Sequence, residues 1–508
     1  MSWESKLPQF PEPFWRDTTK LSSYESLRED TTADVVIVGG GITGLTTAYR
    51  LSKEGVKVIL LEAGKLLNGT TGHTTAKITA QHGLIYDEFI QHFGVEKAKQ
   101  YYNANTEALQ FIHKTVNELH IECDFIQDDA YIYTNDDSYI SKIEKEADAY
   151  QKLGITGELV SSMPLDIEMK RAIVMKNQGQ FHPLKYFKTL IQSMIDNGTR
   201  IFEHTTVDDI EKGTNPTVVT KNGHRITCNY VVVGSHFPFY DGKGFYFARM
   251  YSERSYLLAA RTKKKYPGGM YITAEQPTRS LRYTPFEGEN LVIVGGENHK
   301  TGHGINTMNH YEELATYGDA LFEIEEIVNR WSAQDLTTLD KLPYIGTITE
   351  NTPNIFVATG YRKWGMTNGT AAGIILSDLI VKGSNPYEEL YSPSRFYTDP
   401  SLKQLIKQNA DVAGHFVAGK FDMTHQSIEE LENNKGAIVK VNGERAGCYK
   451  DINGKLHIVD TTCTHLGCEV EWNDGERTWD CPCHGSRFSF DGNVIEGPAK
   501  KPLKKIEL

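Results

Sequence analysis

The chain has 508 residues, 39% of them hydrophobic and 24% charged, with a formal net charge of -12. That length is too much for one ordinary core and predicts two or three domains in a soluble globular protein. The acidic balance argues against nucleic acid or an anionic membrane surface as the main partner. No apolar run approaches the roughly eighteen residues that a membrane-spanning helix needs, and Met1-Ser2-Trp3-Glu4 lacks the basic and apolar regions of a secretory signal. A cytoplasmic location with no integral membrane segment is therefore expected.

After a leader over residues 1–30 that carries Pro8, Pro11, Pro13 and Trp15, the chain reads Asp34-Val-Val-Ile-Val38 and then Gly39-Gly40-Gly41-Ile42-Thr43-Gly44. The pattern predicts a buried parallel strand, a G-x-G-x-x-G turn and a helix that ends at Gly55. A second strand, 56–61, then delivers Glu62. In that order Gly39 makes the tight turn, Gly41 lets the backbone approach a pyrophosphate, and Gly44 lets helix and strand close together. The pyrophosphate would sit on the helix N-terminus, with Glu62 on the ribose hydroxyls of an adenosine. The position near the start of a long chain favours FAD over NAD. Two later strands favour it further: Val231-Val232-Val233-Gly234, and 354–360, which feeds Tyr361-Arg362-Lys363-Trp364-Gly365-Met366-Thr367-Asn368-Gly369 and a helix.

On these motifs the stretch from about 31 to 400 resembles the glycine oxidase/D-amino-acid oxidase superfamily of FAD-dependent amine oxidoreductases. The resemblance implies an α/β (α+β) fold, with a Rossmann-like FAD-binding domain and an interleaved mixed-sheet substrate domain, the sheet over roughly 245–335. It places Gly360, Trp364, Gly365, Met366 and Thr367 against the flavin pyrimidine ring, where a helix dipole and backbone N–H groups stabilise the reduced anion. Lys363 is a candidate for an added positive charge there, or a solvated loop lysine. The hydroxyl-rich segment 68–77, with Thr71, matches the part of the family that passes the ribityl and pyrophosphate. In dimethylglycine- and sarcosine-dehydrogenase-like relatives a histidine in such a segment bonds the flavin covalently; His73 holds a comparable place, but Gly72 replaces the neighbouring tryptophan, so an ordinary pocket histidine is expected.

The middle of the chain is less informative. Helical patterns run through about 84–150, and Gln180-Phe181-His182-Pro183-Leu184 resembles the family segment that opens a helix beside the active site. Candidate substrate contacts are Arg282, Tyr283, His82 and His299. Arg282 could clamp a carboxylate bidentately or serve in a structural ion pair, and the histidines read equally as core residues.

A polar connector over 401–423, partly helical, leads to residues 424–508. There Asn442-Gly443, Asn453-Gly454, Asp474-Gly475 and Asp491-Gly492 mark hairpins of a small all-β domain. Two loops dominate it: Cys463-Thr464-His465-Leu466-Gly467-Cys468 and Cys481-Pro482-Cys483-His484-Gly485-Ser486. Each offers a thiolate and an imidazole, the donor set of a Rieske [2Fe–2S] centre, and two Cys with two His also suit tetrahedral zinc. We read Cys463 and Cys481 as ligands of one iron, His465 and His484 of the other. The loops and the Gly497-Pro498-Ala499 turn resemble the Rieske proteins of cytochrome bc complexes. That resemblance implies a Cys468–Cys483 disulfide and a Ser486 hydroxyl bonded to a cluster sulfur. Phe488 stands at the family's tyrosine, which removes a donor and implies a lower potential. Cys123, Cys228 and Cys448 are expected to be ordinary buried thiols.

Taken together the chain resembles bacterial FAD-dependent oxidoreductases with a C-terminal Rieske domain. The expected cofactors are FAD and a [2Fe–2S] cluster. The expected reaction takes a hydride from an amine or amino-acid-like small molecule and passes single electrons to an acceptor protein or quinone-like acceptor. The alternatives are an NAD(P)H-driven reductase feeding an oxygenase, and a non-enzymatic redox sensor or electron carrier.

Overall fold

The computed structural model describes residues 3–304, 306–397 and 426–507, with 400, 401 and 404 between them. Most of the connector expected over 401–423 lies outside the described residues. In chain order, Val35–Val38 (β1), Ile42–Lys53 (α1) and Val58–Leu61 (β2) open the fold. Tyr86–Glu118 (α2), Ile126–Thr134 (β3), Asp137–Leu153 (α3), Arg171–Gln180 (β4), Pro183–Asp196 (α4) and Arg200–Phe202 (β5) follow. Next come Tyr230–Val233 (β6), Met250–Thr262 (β7), Met270–Thr273 (β8), Arg279–Phe286 (β9) and Glu289–Lys300 (β10). Met308–Phe322 (α5), Ile324–Thr338 (β11), Tyr344–Thr347 (β12), Ile355–Thr359 (β13) and Gly365–Lys382 (α6) complete the larger part.

The nucleotide-type sheet has the order β12–β13–β6–β1–β2–β5 and is parallel except for β12. Its central strands are buried at every position along β1 and β2, as a sheet covered on both faces requires. Helices α1 and α6 cross closely because glycines stand at the contact: a Cβ on Gly369 would lie 2.6 Å from Ile42, and one on Gly373 would lie 2.6 Å from Thr46. At Gly44 a Cβ would come within 2.0 Å of the Gly39 carbonyl, so only glycine lets α1 follow β1 so tightly.

The second sheet is larger than the sequence led us to expect. Its nine strands run β11–β7–β10–β9–β8–β3–β4, with Lys77–Ile78 beyond β4 and Gly157–Val160 paired to β4. Strand β3 falls within the stretch read as helical, where the two-residue alternation of Ile126–Thr134 and its pairing with β4 and β8 override the helical pattern. Helix α5 was also unforeseen within 245–335.

Alternation gives this sheet two distinct faces. Leu257, Ala259, Ile293 and Trp331 pack into the core shared with the nucleotide domain, whereas Tyr256, Leu258, Val292 and Val294 pack against Tyr311 and Leu314 of α5. The second face also receives the C-terminal domain. That domain is all-β, a three-stranded sheet (435–459) beside a four-stranded one (471–496), with hairpins at the predicted Asn-Gly and Asp-Gly turns.

Docking is made by buried polar groups. Arg254, fully buried on β7, lies 3.5 Å from Asp480, which also holds Arg487 at 3.3 Å. Arg330 on β11 donates to Gly475 O at 2.7 Å, to Pro8 O at 2.6 Å and to Gln9 O at 3.0 Å, so one guanidinium ties leader, sheet and C-terminal domain. Thr307 bonds Asn473 at 2.7 Å and Tyr311 bonds Glu476 at 2.6 Å. Replacing Arg330 by Met leaves three carbonyls without their donor at a buried junction. Each orphaned group costs about 1–3 kcal/mol, so R330M is expected to lower the denaturant midpoint and to speed hydrogen exchange over 471–480 ahead of the nucleotide sheet. An unchanged midpoint and exchange pattern would remove this guanidinium from the docking.

Candidate redox sites on the two faces of one sheet

The first glycine turn is shaped as the sequence predicts. Gly39 has φ +114°, and α1 begins after Gly41, whose place at the N-cap offers no side chain to the first turn. Glu62 accepts from Gly40 N and Gly64 N, both at 2.8 Å, and burial pushes its carboxyl up. Thr71 Oγ1 accepts from Ile42 N at 3.0 Å, which fastens the hydroxyl-rich segment to the start of α1.

The second turn meets the same place. Gly360 has φ +79°, and α6 begins after Trp364, again with no side-chain cap. Tyr361 reaches Thr43 at 2.7 Å, while Thr367 Oγ1 donates to Thr79 O at 3.0 Å. Thus Gly39, Gly41, Gly44, Glu62, Thr71, Gly360, Trp364, Gly365, Met366 and Thr367 converge around two helix N-termini, a cradle with the shape and donor set for a dinucleotide. His73 sits at the end of the 3₁₀ turn 70–73, its Nδ1 2.9 Å from Gly69 O, and burial lowers it to about 4. A Cβ at Gly72 would lie 2.2 Å from Leu67 O, so a tryptophan has no room there.

Three of the four substrate candidates are held in structural contacts. Arg282 is 1% exposed and donates to the carbonyls of Thr75, Ala76, Phe181 and Tyr283 at 2.8–3.2 Å, with its guanidinium 5.2 Å from the Trp15 ring. Among the described residues it makes no ion pair; it staples segment 75–76 to β9, because a fork of five N–H donors can satisfy several carbonyls at once. His82 stacks on Trp364 at 4.9 Å and is bonded to Tyr101 OH at 2.6 Å and Thr79 O at 2.8 Å, so it props the second turn. His299 stacks on His310 at 4.6 Å and is bonded to Tyr256 OH at 3.0 Å on the α5 face, away from the nucleotide domain. Tyr283 lies half-buried beside Tyr266, with ring centroids 5.1 Å apart.

What the sequence did not single out is a group of charges beside the second turn. Glu253 and Asp335 are cross-strand partners on β7 and β11, on the face that looks toward the nucleotide domain. Tyr361 bridges Thr337 on the outer edge of β11, and Arg362 N bonds Leu336 O, which brings Lys363 level with Asp335. Burial is the largest cause that pushes Asp335 up to about 7, with Lys363 opposing it. The Lys363 ammonium is in turn pulled down by burial against the pull of Glu253 and Asp335. Only the register of two long strands unites these residues, and no local spacing in the sequence carries it.

On the opposite face lie the two cysteine–histidine loops. Cys463 and Cys481 are buried and their thiols share a hydrogen bond, which holds Cys463 down to about 7 and Cys481 up. The rings of His465 and His484 are 5.0 Å apart and nearly perpendicular. Both Nδ1 atoms are buried without a partner, and burial keeps both imidazoles neutral, His484 at about 4. Two thiols and two orphaned neutral imidazole nitrogens on facing loops fit an iron–sulfur cluster. Cys468 and Cys483 are joined as a disulfide with an S–S distance of 2.00 Å. Ser486 Oγ accepts from Ala499 N at 3.0 Å and is bonded to Cys463, and Phe488 fills the core behind the loops. Phe247, from the oxidoreductase part, sets its ring edge-on to His465 at 5.4 Å and His484 at 5.7 Å. Cys123, Cys228 and Cys448 are buried, and burial pushes each thiol up, to about 12, 12 and 11.

Comparison with known proteins fits this two-part geometry. Residues 34–379 match the family described as FAD dependent oxidoreductase, and residues 423–507 match the Rieske [2Fe-2S] domain. The chain is 52% identical over 498 residues to the Rieske 2Fe-2S iron-sulfur protein YhfW of Bacillus subtilis (strain 168), covering 98% of both chains. It is 23% identical over 392 residues to gamma-glutamylputrescine oxidoreductase of Escherichia coli (strain K12), 71% of this chain and 86% of that one. Glycine oxidase from Geobacillus kaustophilus superposes with a TM-score of 0.61 at 17% identity, over 72% of this chain and 99% of that one. No helix among the described residues is long and apolar enough to cross a membrane. The chain belongs to the FAD dependent oxidoreductase family: it is an FAD-dependent oxidoreductase that carries a C-terminal Rieske [2Fe–2S] domain.

Proposed function

We propose that this oxidoreductase dehydrogenates an amine and sends the electrons out singly through its Rieske domain to an external acceptor protein or quinone-like molecule. Residues 31–400 form the dehydrogenating unit and residues 424–508 the electron-transfer unit. FAD accepts a hydride and the cluster accepts one electron at a time, which is the chemistry the two groups supply when bound. Gly39, Gly41, Gly44, Glu62 and Thr71 hold the pyrophosphate and ribose. Gly360, Trp364, Gly365, Met366 and Thr367 present a helix N-terminus to the flavin ring, with Lys363 as a nearby cation. Cys463 and Cys481 hold one iron, His465 and His484 the other.

The observation that carries the amine reading is the pairing of Glu253 with Asp335 beside the flavin turn, together with the commitment of Arg282 to backbone carbonyls. Two carboxylates on the face over the flavin turn attract an ammonium and repel a carboxylate. The similarity to a protein named for an oxidised polyamine derivative points the same way. Strand β10 supports the choice of donor over NAD(P)H, because the glycines of Gly295-Gly296 lie inside an antiparallel ladder and lead into no nucleotide-binding helix.

The direct experiment is the Cys463→Ser variant. Amine-driven flavin bleaching is expected to persist while electron delivery to a one-electron acceptor falls to background; delivery at the wild-type rate would take the cluster off the route. A pH profile tests the recognition. Asp335 is held up to about 7, so it is neutral below that pH and charged above it. Productive amine capture, read as kcat/KM, is expected to rise with pH through about 7, and Asp335→Asn should flatten that rise while lowering kcat/KM about tenfold, the loss of roughly 1.4 kcal/mol of ion pairing. An unaltered profile in D335N would remove Asp335 from the donor site.

A further inference from the structure

One residue spans the sheet between the two redox sites. Gln334 on β11 is 2% exposed. Its backbone carbonyl accepts from Thr70 Oγ1 at 3.3 Å, on the 3₁₀ turn 70–73 that the nucleotide cradle includes. Its side-chain Nε2 donates to Gly485 O at 2.9 Å, on the residue bonded directly to His484. The other end of the same amide is fixed, since Thr301 Oγ1 donates to Gln334 Oε1 at 2.9 Å and Thr301 N is held by Ser252 O. The amide is therefore held at both ends, and a rotation would set Oε1 against the Gly485 carbonyl.

Gly485 is shaped for this contact. Its φ is +77°, and a Cβ there would lie 2.2 Å from Ser252 Oγ and 3.3 Å from Gln334 Nε2. Only a glycine lets the loop carrying His484 settle against the strand. Gly485 N in turn donates to Cys481 O, so the contact reaches the backbone of a cysteine ligand as well. Among the described residues, Gln334 touches the flavin-side segment with its main chain and the cluster loop with its side chain.

We infer that Gln334 is the positioning residue for electron transfer from flavin to cluster. It completes a route from Thr70 through the Gln334 main chain and amide to Gly485 and His484. This inference rests on the proposed direction of electron flow. The balance is simple: reduced flavin surrenders its two electrons in two steps, each reducing one ferric iron of the cluster to ferrous. The flavin protons pass to solvent, and the external acceptor re-oxidises the iron between steps. Electron transfer weakens steeply with distance and with gaps in packing, so an oriented amide at van der Waals contact on both sides matters more than its small contribution to stability.

The test uses the full-length holoprotein. Flavin is reduced by a light pulse under anaerobic conditions, and the growth of the reduced-cluster absorbance gives the internal transfer rate without any turnover. Gln334→Met keeps the length of the side chain and removes both amide bonds; Thr301→Val leaves the glutamine and frees its amide to turn. Transfer is expected to slow several-fold in Q334M and less in T301V, with both midpoint potentials unchanged and hydrogen exchange over 478–487 as slow as in the parent. An unchanged rate in Q334M overturns the inference, as does a slowing accompanied by a shifted potential or by loss of protection over 478–487. Absence of transfer in the parent protein would instead overturn the proposed direction of flow, so the two failures are distinguishable.

Discussion

The buried contact between Arg254 and Asp480 is the constraint on which the arrangement of the two halves depends. Arg254 is fully buried and Asp480 is 2% exposed, so neither charge can be left alone without a cost of several kcal/mol. Asp480 is further held by Arg487, Asn473 and Thr478, and these supports keep its carboxyl ionised. Because Asp480 immediately precedes Cys481, the ion pair fixes the position of a cysteine loop and not merely of a domain. A cluster-bearing domain without such a contact would sample many distances from the nucleotide domain; one seated on a buried ion pair is held at one.

The same sheet that receives this domain turns its other face to the nucleotide domain. A strand gives alternate residues to alternate faces, so β7 and β11 serve both sites with interleaved positions. Glu253 and Asp335 look toward the second flavin turn, while Ser252, Arg254, Arg330 and Gln334 meet the C-terminal domain. The proposed sites of donor recognition and electron exit thereby lie on opposite faces of one sheet.

Local motifs were legible in the sequence because their chemistry is contiguous. The two glycine turns, Glu62, the cysteine–histidine loops and the Asn-Gly and Asp-Gly hairpins all occupy the places their spacing predicts, since each is a short segment whose conformation is set by its own residues. Long-range functions were not legible. Arg282 read as a carboxylate clamp or a structural ion pair because a guanidinium has both capacities; only the fold shows its donors committed to four carbonyls. The pairing of Glu253 with Asp335 spans about eighty residues of sequence and arises from strand register, and β3 was masked by a helical pattern around it. Gly485 could have been noted as one glycine among the cluster loops, yet the Ser252 side chain that demands it comes from another domain.

The central claim is that an amine reduces the flavin on one face and the cluster drains it from the other. An anaerobic absorbance titration of the holoprotein measures this most directly, with a polyamine, N-methylated and simple amino acids, NADH and NADPH as donors. A polyamine is expected to bleach the flavin bands first and the cluster bands afterwards, while the amino acids, whose carboxylate the Glu253–Asp335 pair repels, and the nicotinamides leave both intact. Bleaching by NADH or NADPH alone would contradict it in favour of a reductase, and bleaching by no donor would contradict it in favour of a redox sensor.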